Sequence, residues 1–409
     1  MKKEHSNDVL SLTAEVGHIL LENGAEISRV EETMERIADH FGEDKEHFFI
    51  LSNGIFTTGE SYANVEFIPI KGARLDMVVA VNQFSREVAA GKYTLEEAHK
   101  RLEEIRNTPG KPLWELYAGA ALGSGAFCAI FGGSLADCAA TLLTGTAVYA
   151  FLLLCKSWMS KALANICSGA LGTLLCILMF TFGLGHNLGN MIIGTMLPLI
   201  PGVAFTNGLR DIAGEDYLAG VTRLLDALMV FLSIAIGVTS TFLIHSYIAG
   251  GMLQLNGTVT DPVTSIIPVQ MLAALIGTAS FSVLFGAPRE HYLYCGFVGM
   301  AGWIAFLLSF RYTPLGLIGG TFIASMLVAF LSGFSARWRK CPSTVFLICG
   351  EFPLIPGAGV FWSSYYAVSG QMKASLTVGF EAVMVTIAIV LGIIIAANVL
   401  HPKNMRHKG

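Results

Sequence analysis

The chain has 409 residues, 53% of them hydrophobic and 14% charged, with a formal net charge of −4. Soluble domains carry about 25% charged residues, so this balance excludes an ordinary soluble protein, and the slight acidity argues against a nucleic-acid partner. The eight cysteines stand singly, with no Cys-x-x-Cys and no Cys/His cluster. They read as small apolar side chains, not as metal ligands or a disulfide framework, and no cofactor is expected.

Charge is spread unevenly along the chain. The first 112 residues hold 33 of the 56 Asp, Glu, Lys and Arg. That shift predicts a small cytosolic α/β domain over 1–112, followed by a membrane region. Apolar stripes predict two helices over 7–42, parted at Asn23-Gly24. Short strands are expected at 48–51, 55–58 and 64–70, then a helix over 76–90. Thr94 and Glu97 form a capping box that opens a helix over 95–106. The first residues lack a signal-peptide core.

After Pro112 come ten apolar segments of spanning length, near 113–131, 137–155, 162–184, 188–209, 218–246, 263–285, 291–310, 313–334, 342–365 and 374–400. With the N-terminus inside, the inner connections and tail hold ten Lys and Arg. The outer ones hold only Arg311 and Lys373, a positive-inside pattern. The expected parts are a first five-helix repeat over 113–247, a second over 262–400 and a basic cytosolic tail over 401–409.

The repeat rests on a pentapeptide. Pro198-Leu-Ile-Pro-Gly202 recurs 155 residues later as Pro353-Leu-Ile-Pro-Gly357. At the same offset Thr222 falls on Thr377, Asp226 on Glu381, Met229 on Met384 and Gly237 on Gly392. With one gap, Phe131-Gly132 falls on Phe285-Gly286 and Gly145 on Gly299. Five spans per half is odd, so the second half enters the membrane from the opposite side. The expected fold is therefore an α-helical multi-pass membrane protein of two inverted five-helix repeats.

Two prolines three apart break a helix, because each removes a donor and clashes with the preceding turn. In hydrocarbon a break is tolerated only where protein or a polar cavity satisfies the freed groups. The breaks therefore mark the expected substrate site: Pro201, Gly202, Pro356 and Gly357, with Asn187 and Asn190 before the first break. Thr206 and Asn207 follow it, and Ser363, Ser364 and Tyr365 follow the second. An alternative role for these polar groups is to patch broken backbone.

An ionisable group inside a span costs at least about 2.5 kcal/mol and marks function by default. Asp226 and Glu381 qualify. Arg223, three residues before Asp226, is its expected ion-pair partner. Val378 replaces Arg223 in the second half, which leaves Glu381 to titrate as the coupling group. Glu351, before the second break, is a further cation or proton site. Arg210 and Asp211 are read as an inner loop, solvated or gating, and Glu115 and Asp137 as interfacial residues at span ends. Arg74 and Asp76 cap a helix or face the transport path.

The run Glu15-Val-Gly-His-Ile-Leu-Leu-Glu-Asn-Gly-Ala-Glu26 with Arg29-Val-Glu31 resembles the opening of the threonine/serine exporter family. So do Arg74-Leu-Asp76, and Pro201-Gly202 followed by Asn207 and Arg210-Asp211. Cys341-Pro342 and the second pentapeptide resemble that family's smaller component, here fused. The resemblance implies an exporter of small hydroxy amino acids in the inner membrane, driven by the proton gradient. Some split relatives are associated with dicarboxylates. The partners implied are a small amino acid, protons and the lipid bilayer, with a homo-oligomer left open. A succinate-like exporter is an alternative; a membrane-tethered hydrolase lacks any nucleophile–base pair, and no enzyme is expected.

Overall fold

The computed structural model describes residues 2–43, 48–59, 62–69, 72–250 and 261–400. The expected basic tail over 401–409 and the end of the third strand at Ile70 lie outside the described residues.

The N-terminal elements are α1 (Lys2–Glu22), α2 (Ile27–Phe41), strands β1 (Phe48–Leu51), β2 (Gly54–Thr58) and β3 (Ala63–Phe67), α3 (Leu75–Ala89) and α4 (Leu95–Arg106). The strands form an antiparallel sheet in the order β1-β2-β3, with Phe48 opposite Thr57 and Gly54 opposite Phe67. Helix stripes close over one core of Leu12, Val16, Ile37, Val78, Phe84 and Leu102. The Thr94–Glu97 capping box that opens α4 is formed.

The remaining helices are α5 (Leu113–Ile130), α6 (Leu135–Cys155), α7 (Lys161–Thr181), α8 (Leu188–Met196), α9 (Gly202–Ala213), α10 (Tyr217–Ala249), α11 (Ile267–Leu284), α12 (Tyr292–Tyr312), α13 (Gly316–Arg339), α14 (Ser343–Glu351), α15 (Gly357–Val368) and α16 (Met372–Leu400). Among the described residues nine helical stretches are long and apolar enough to cross a membrane. The α8–α9 pair, bent by 70°, brings the number to ten. Exposed Leu, Ile and Phe side chains cover the outward faces of these helices, such as Leu225, Ile236, Phe380 and Leu391. In water such a surface would aggregate; against lipid it is the right solvent contact. The chain is a multi-pass membrane protein.

The two halves repeat element by element. α8, α9 and α10 begin 155 residues before α14, α15 and α16. α7 packs on α10 as α13 packs on α16. The matched glycines explain the packing. A methyl group on Gly237 would lie 2.0 Å from the Ile166 carbonyl, and one on Gly392 2.8 Å from the Met326 amide, so both crossings require backbone contact. Gly145 likewise leaves room for Ser124, as Gly299 does for Thr278.

The halves meet reciprocally along α5 and α11. Gly123 faces the ring of Phe281, and Gly277 faces the ring of Phe127, with carbons 2.7 and 2.8 Å from where a methyl group would stand. Moving up one helix moves down the other, so the pair runs antiparallel. Gly123 and Phe127 of α5 thus exchange contacts with Gly277 and Phe281 of α11.

Candidate substrate and coupling site

Both breaks share one construction. α8 stops at Met196 and α14 at Glu351, and a 3₁₀ turn carrying Pro198 or Pro353 follows. Ile200 and Ile355 are then extended, at φ/ψ of −65°/127° and −61°/130°. The Gly202 and Gly357 amides donate to the Ile200 and Ile355 carbonyls at 2.8 and 2.7 Å, and α9 and α15 begin. The freed backbone is thus largely satisfied by its own turn.

The breaks abut. A methyl group on Gly202 would lie 2.8 Å from the ring of Phe352 and 3.0 Å from that of Phe285, and one on Gly357 2.6 Å from Ile200 Cδ1. Phe352 stacks on Phe281 at 4.2 Å and meets Phe127 and Phe285 edge-on at 5.3 Å. This aromatic cluster closes the centre between the halves, and the sequence reading had no term for it.

The polar residues after the breaks diverge instead of converging. α9 runs from the first break toward the N-terminal elements. Asn207 Nδ2 donates to the Gly24 carbonyl at 2.5 Å, and Thr206 is fully buried with its hydroxyl unpartnered among the described residues. α15 runs the other way. Ser363 exchanges hydrogen bonds with Ser375 at 2.9 and 2.8 Å, and Ser364 donates to its own helix at Val360. Tyr365 packs on Phe242 and Trp362. Asn187 caps α8 by accepting from the Asn190 amide, and Asn190 is buried behind it.

Three ionic expectations need correction. Arg223 does not pair with Asp226. It pairs with Asp211 at 3.0 Å, because both are buried while Asp226 points outward to Lys161, 2.6 Å away on α7. Glu381 lies on the exposed face of α16, with none of the enclosure that a coupling group between the halves needs. Arg210 and Asp211 are not a solvated loop; they form the last turns of α9. Glu115 and Asp137 stand in the first turns of α5 and α6, at span ends, with their side chains buried: Glu115 pairs with Arg289, and Asp137 accepts from the His186 and Asn187 amides. Asp76, in the first turn of α3, accepts from the Met77 amide and pairs with Arg74 at 2.9 Å, while its own amide donates to the Gly286 carbonyl.

Glu351 is the enclosed carboxyl, 1% exposed at the end of α14. Its Oε1 lies 2.8 Å from Ser325 Oγ, which lies 3.0 Å from the Ile389 carbonyl. Oε2 has no partner among the described residues, and no ion pair there reaches this carboxyl.

A second buried cluster joins the N-terminal elements to both halves. The turn Asn23–Glu26 presents its carbonyls to the membrane helices: Gly24 accepts from Asn207, and Ala25 from Arg223 at 2.7 Å. Glu26, 1% exposed, pairs with Arg210 of α9 at 2.5 Å and accepts from Thr344 of α14 at 3.3 Å. Asp211 accepts from the Ile27 amide at 3.2 Å and so caps α2. Gly24 has φ +82°, a conformation that glycine adopts without a steric cost, and this lets the turn fold onto α9. Glu26 stood inside the opening motif but was given no role, because Arg210 and Thr344, the partners that tie it to the membrane helices, lie 184 and 318 positions away.

No solved structure matches the chain. The family described as "Putative threonine/serine exporter" matches residues 11–245, and the family described as "Threonine/Serine exporter, ThrE" matches residues 270–399. A protein of Mycobacterium tuberculosis named "Probable threonine/serine exporter" is 22% identical over 413 aligned positions, covering 97% of this chain and 77% of that protein. The "Threonine/serine exporter" of Corynebacterium glutamicum is 24% identical, covering 90% and 78%. With both segments in one polypeptide, the chain belongs to the threonine/serine exporter family.

Proposed function

We propose that the protein exports L-threonine and L-serine across the cytoplasmic membrane in exchange for protons, with its N-terminal elements and tail on the cytoplasmic side. The names of the relatives support the substrate class. The observation that carries the transport reading is the contact between the two breaks: Gly202 against Phe352 and Gly357 against Ile200. A substrate of a few heavy atoms fits between such breaks once the aromatic contact parts, and helix ends there offer dipoles to carboxylate and ammonium alike.

The reciprocal α5–α11 contact supports inverted-topology halves, since a two-fold axis across antiparallel helices lies in the membrane plane. Halves so related can rock between two mirror packings. In the present packing the Asn23–Glu26 turn ties α9 and α14 together on its own side, and the reading takes this side as closed. Opening there requires the bridge through Glu26 to part.

Glu351 takes the coupling role that the sequence reading gave to Glu381. A buried carboxylate without a cation is expensive. The Ser325 hydroxyl has one hydrogen for two acceptors; a protonated Glu351 donates to Ser325, which donates to Ile389, so that Oε1, Ser325 Oγ and the Ile389 carbonyl are each paired. Movement of α14 past α13 on opening would admit water and release the proton.

Counterflow in proteoliposomes tests the substrate. Labelled L-threonine should exchange saturably, with competition by L-serine and none by succinate; competition by succinate alone would replace this reading with the dicarboxylate one.

A further inference from the structure

A cavity of about 390 Å³ opens where α13, α14 and α16 meet α2 and α3. Arg29, Arg86, Arg210, Arg337 and Lys340 line it, and among the described residues no Asp or Glu does. Arg29 and Arg210 are engaged by Glu26 and Glu32. Arg86, Arg337 and Lys340 have no carboxylate partner among the described residues, and Arg337 donates only to the Leu400 carbonyl at 3.0 Å. The wall therefore holds three uncompensated positive charges. The lining also has an apolar part, with Ala329, Ile393 and Ala397 along α13 and α16.

A second observation points to an occupant. Ser332 lines the cavity, is 1% exposed, and its hydroxyl has no partner among the described residues. A buried hydroxyl without a partner is costly, so an acceptor oxygen placed there is favoured. The level in the bilayer is also marked. Phe334 and Trp338 project from the end of α13, each about two-thirds exposed, and Arg339 lies over the Tyr294 ring at 5.0 Å. Exposed aromatics with Arg and Lys are the usual furniture of the headgroup layer.

We infer that this cavity binds the phosphate of an anionic phospholipid from the leaflet on the N-terminal side, with acyl chains lying along α13 and α16. Basic pockets between spans at that level recognise such headgroups. The ligand would join Arg86 of α3 to Arg337 and Lys340 of the second half. An amino-acid substrate fits poorly, because nothing acidic lines the cavity to receive an ammonium group. The site does not depend on what the protein exports.

The full chain is placed in nanodiscs of equal phosphatidylglycerol and phosphatidylcholine, and retained lipid is read by native mass spectrometry. Phosphatidylglycerol should be retained over phosphatidylcholine, and Arg86→Gln together with Lys340→Gln should cut its retention roughly thirtyfold, as expected from about 1 kcal/mol for each of the two basic residues near the surface. Arg337→Lys, which keeps the charge, should retain it. If the double variant fails to fold, Arg86→Gln alone, on the exposed side of α3, is read in its place. Equal retention of the two lipids, or variants that hold phosphatidylglycerol as the parent does, would overturn the proposal. The other source of the same chemistry is tested in phosphatidylcholine alone. Inorganic phosphate that raises the melting temperature as much as phosphatidylglycerol does would make this a free-phosphate site and overturn the lipid assignment.

Discussion

Gly202 and Phe352 lie 150 residues apart in the chain, yet they touch: the ring of the second break fills the place where a side chain on the first would stand, 2.8 Å away. Gly202→Val would have to displace both Phe352 and Phe285. Overpacking of this kind costs about 1–3 kcal/mol, which a membrane bundle survives, but it wedges the contact that must open and close. The expected outcome is at least a roughly tenfold loss of threonine exchange, one decade for each ~1.4 kcal/mol, with the protein still monodisperse. Exchange at the parent rate would show that the facing breaks are not the moving part.

Glu26 holds Arg210 in the other buried contact. Glu26→Gln leaves that guanidinium without its counter-charge, and breaking a buried pair costs about 3–5 kcal/mol. Glu26→Gln with Arg210→Gln should recover part of the loss. Thermal unfolding of the four proteins in a double-mutant cycle measures the coupling; a coupling near zero would mean that the N-terminal turn is not fastened through this pair.

Asp226 should be nearly silent. Its bridge to Lys161 is half exposed on both sides, and such pairs contribute about 0–1 kcal/mol. Asp226→Asn should therefore leave stability and exchange close to the parent, whereas Asp211→Asn, which uncovers buried Arg223, should lower both. Equal damage from the two variants would restore the importance that the sequence pattern gave to Asp226.

Much of the fold was legible because it follows from local chemistry. Proline pairs stop helices wherever they occur, so both breaks and their spacing could be read from Pro198 to Gly202 and Pro353 to Gly357. The capping box at Thr94 needs only two side chains three apart. Gly237 and Gly392 stood out by register, and their reason is now plain, since each admits a neighbouring backbone. The ion pairs were misread for the opposite reason. Arg223 and Asp226 share a helix, but its neighbours α7 and α9 turn them toward different partners, and nothing local to either residue encodes that. Glu26 reaches α9 and α14, and Phe352 reaches α5 and α11, through contacts distant in sequence, so periodicity could not single them out.

Equivalent connections should face opposite sides of the membrane. Ser157, between α6 and α7, and Thr313, between α12 and α13, hold matching places in the two halves, and both are exposed. In a background with the native cysteines replaced, Thr313→Cys should react with an impermeant thiol reagent added outside, and Ser157→Cys should react only after permeabilisation. Labelling of both from one side would rule out inverted halves.

Accumulation of labelled L-threonine in proteoliposomes under an imposed pH gradient is the most direct measurement of proton-coupled export through Glu351. The parent protein should concentrate threonine against its gradient, and Glu351→Gln should exchange threonine across the membrane without concentrating it. Concentration by Glu351→Gln to the parent level would contradict the coupling role, and a parent protein that moves no threonine would contradict the assignment of the substrate.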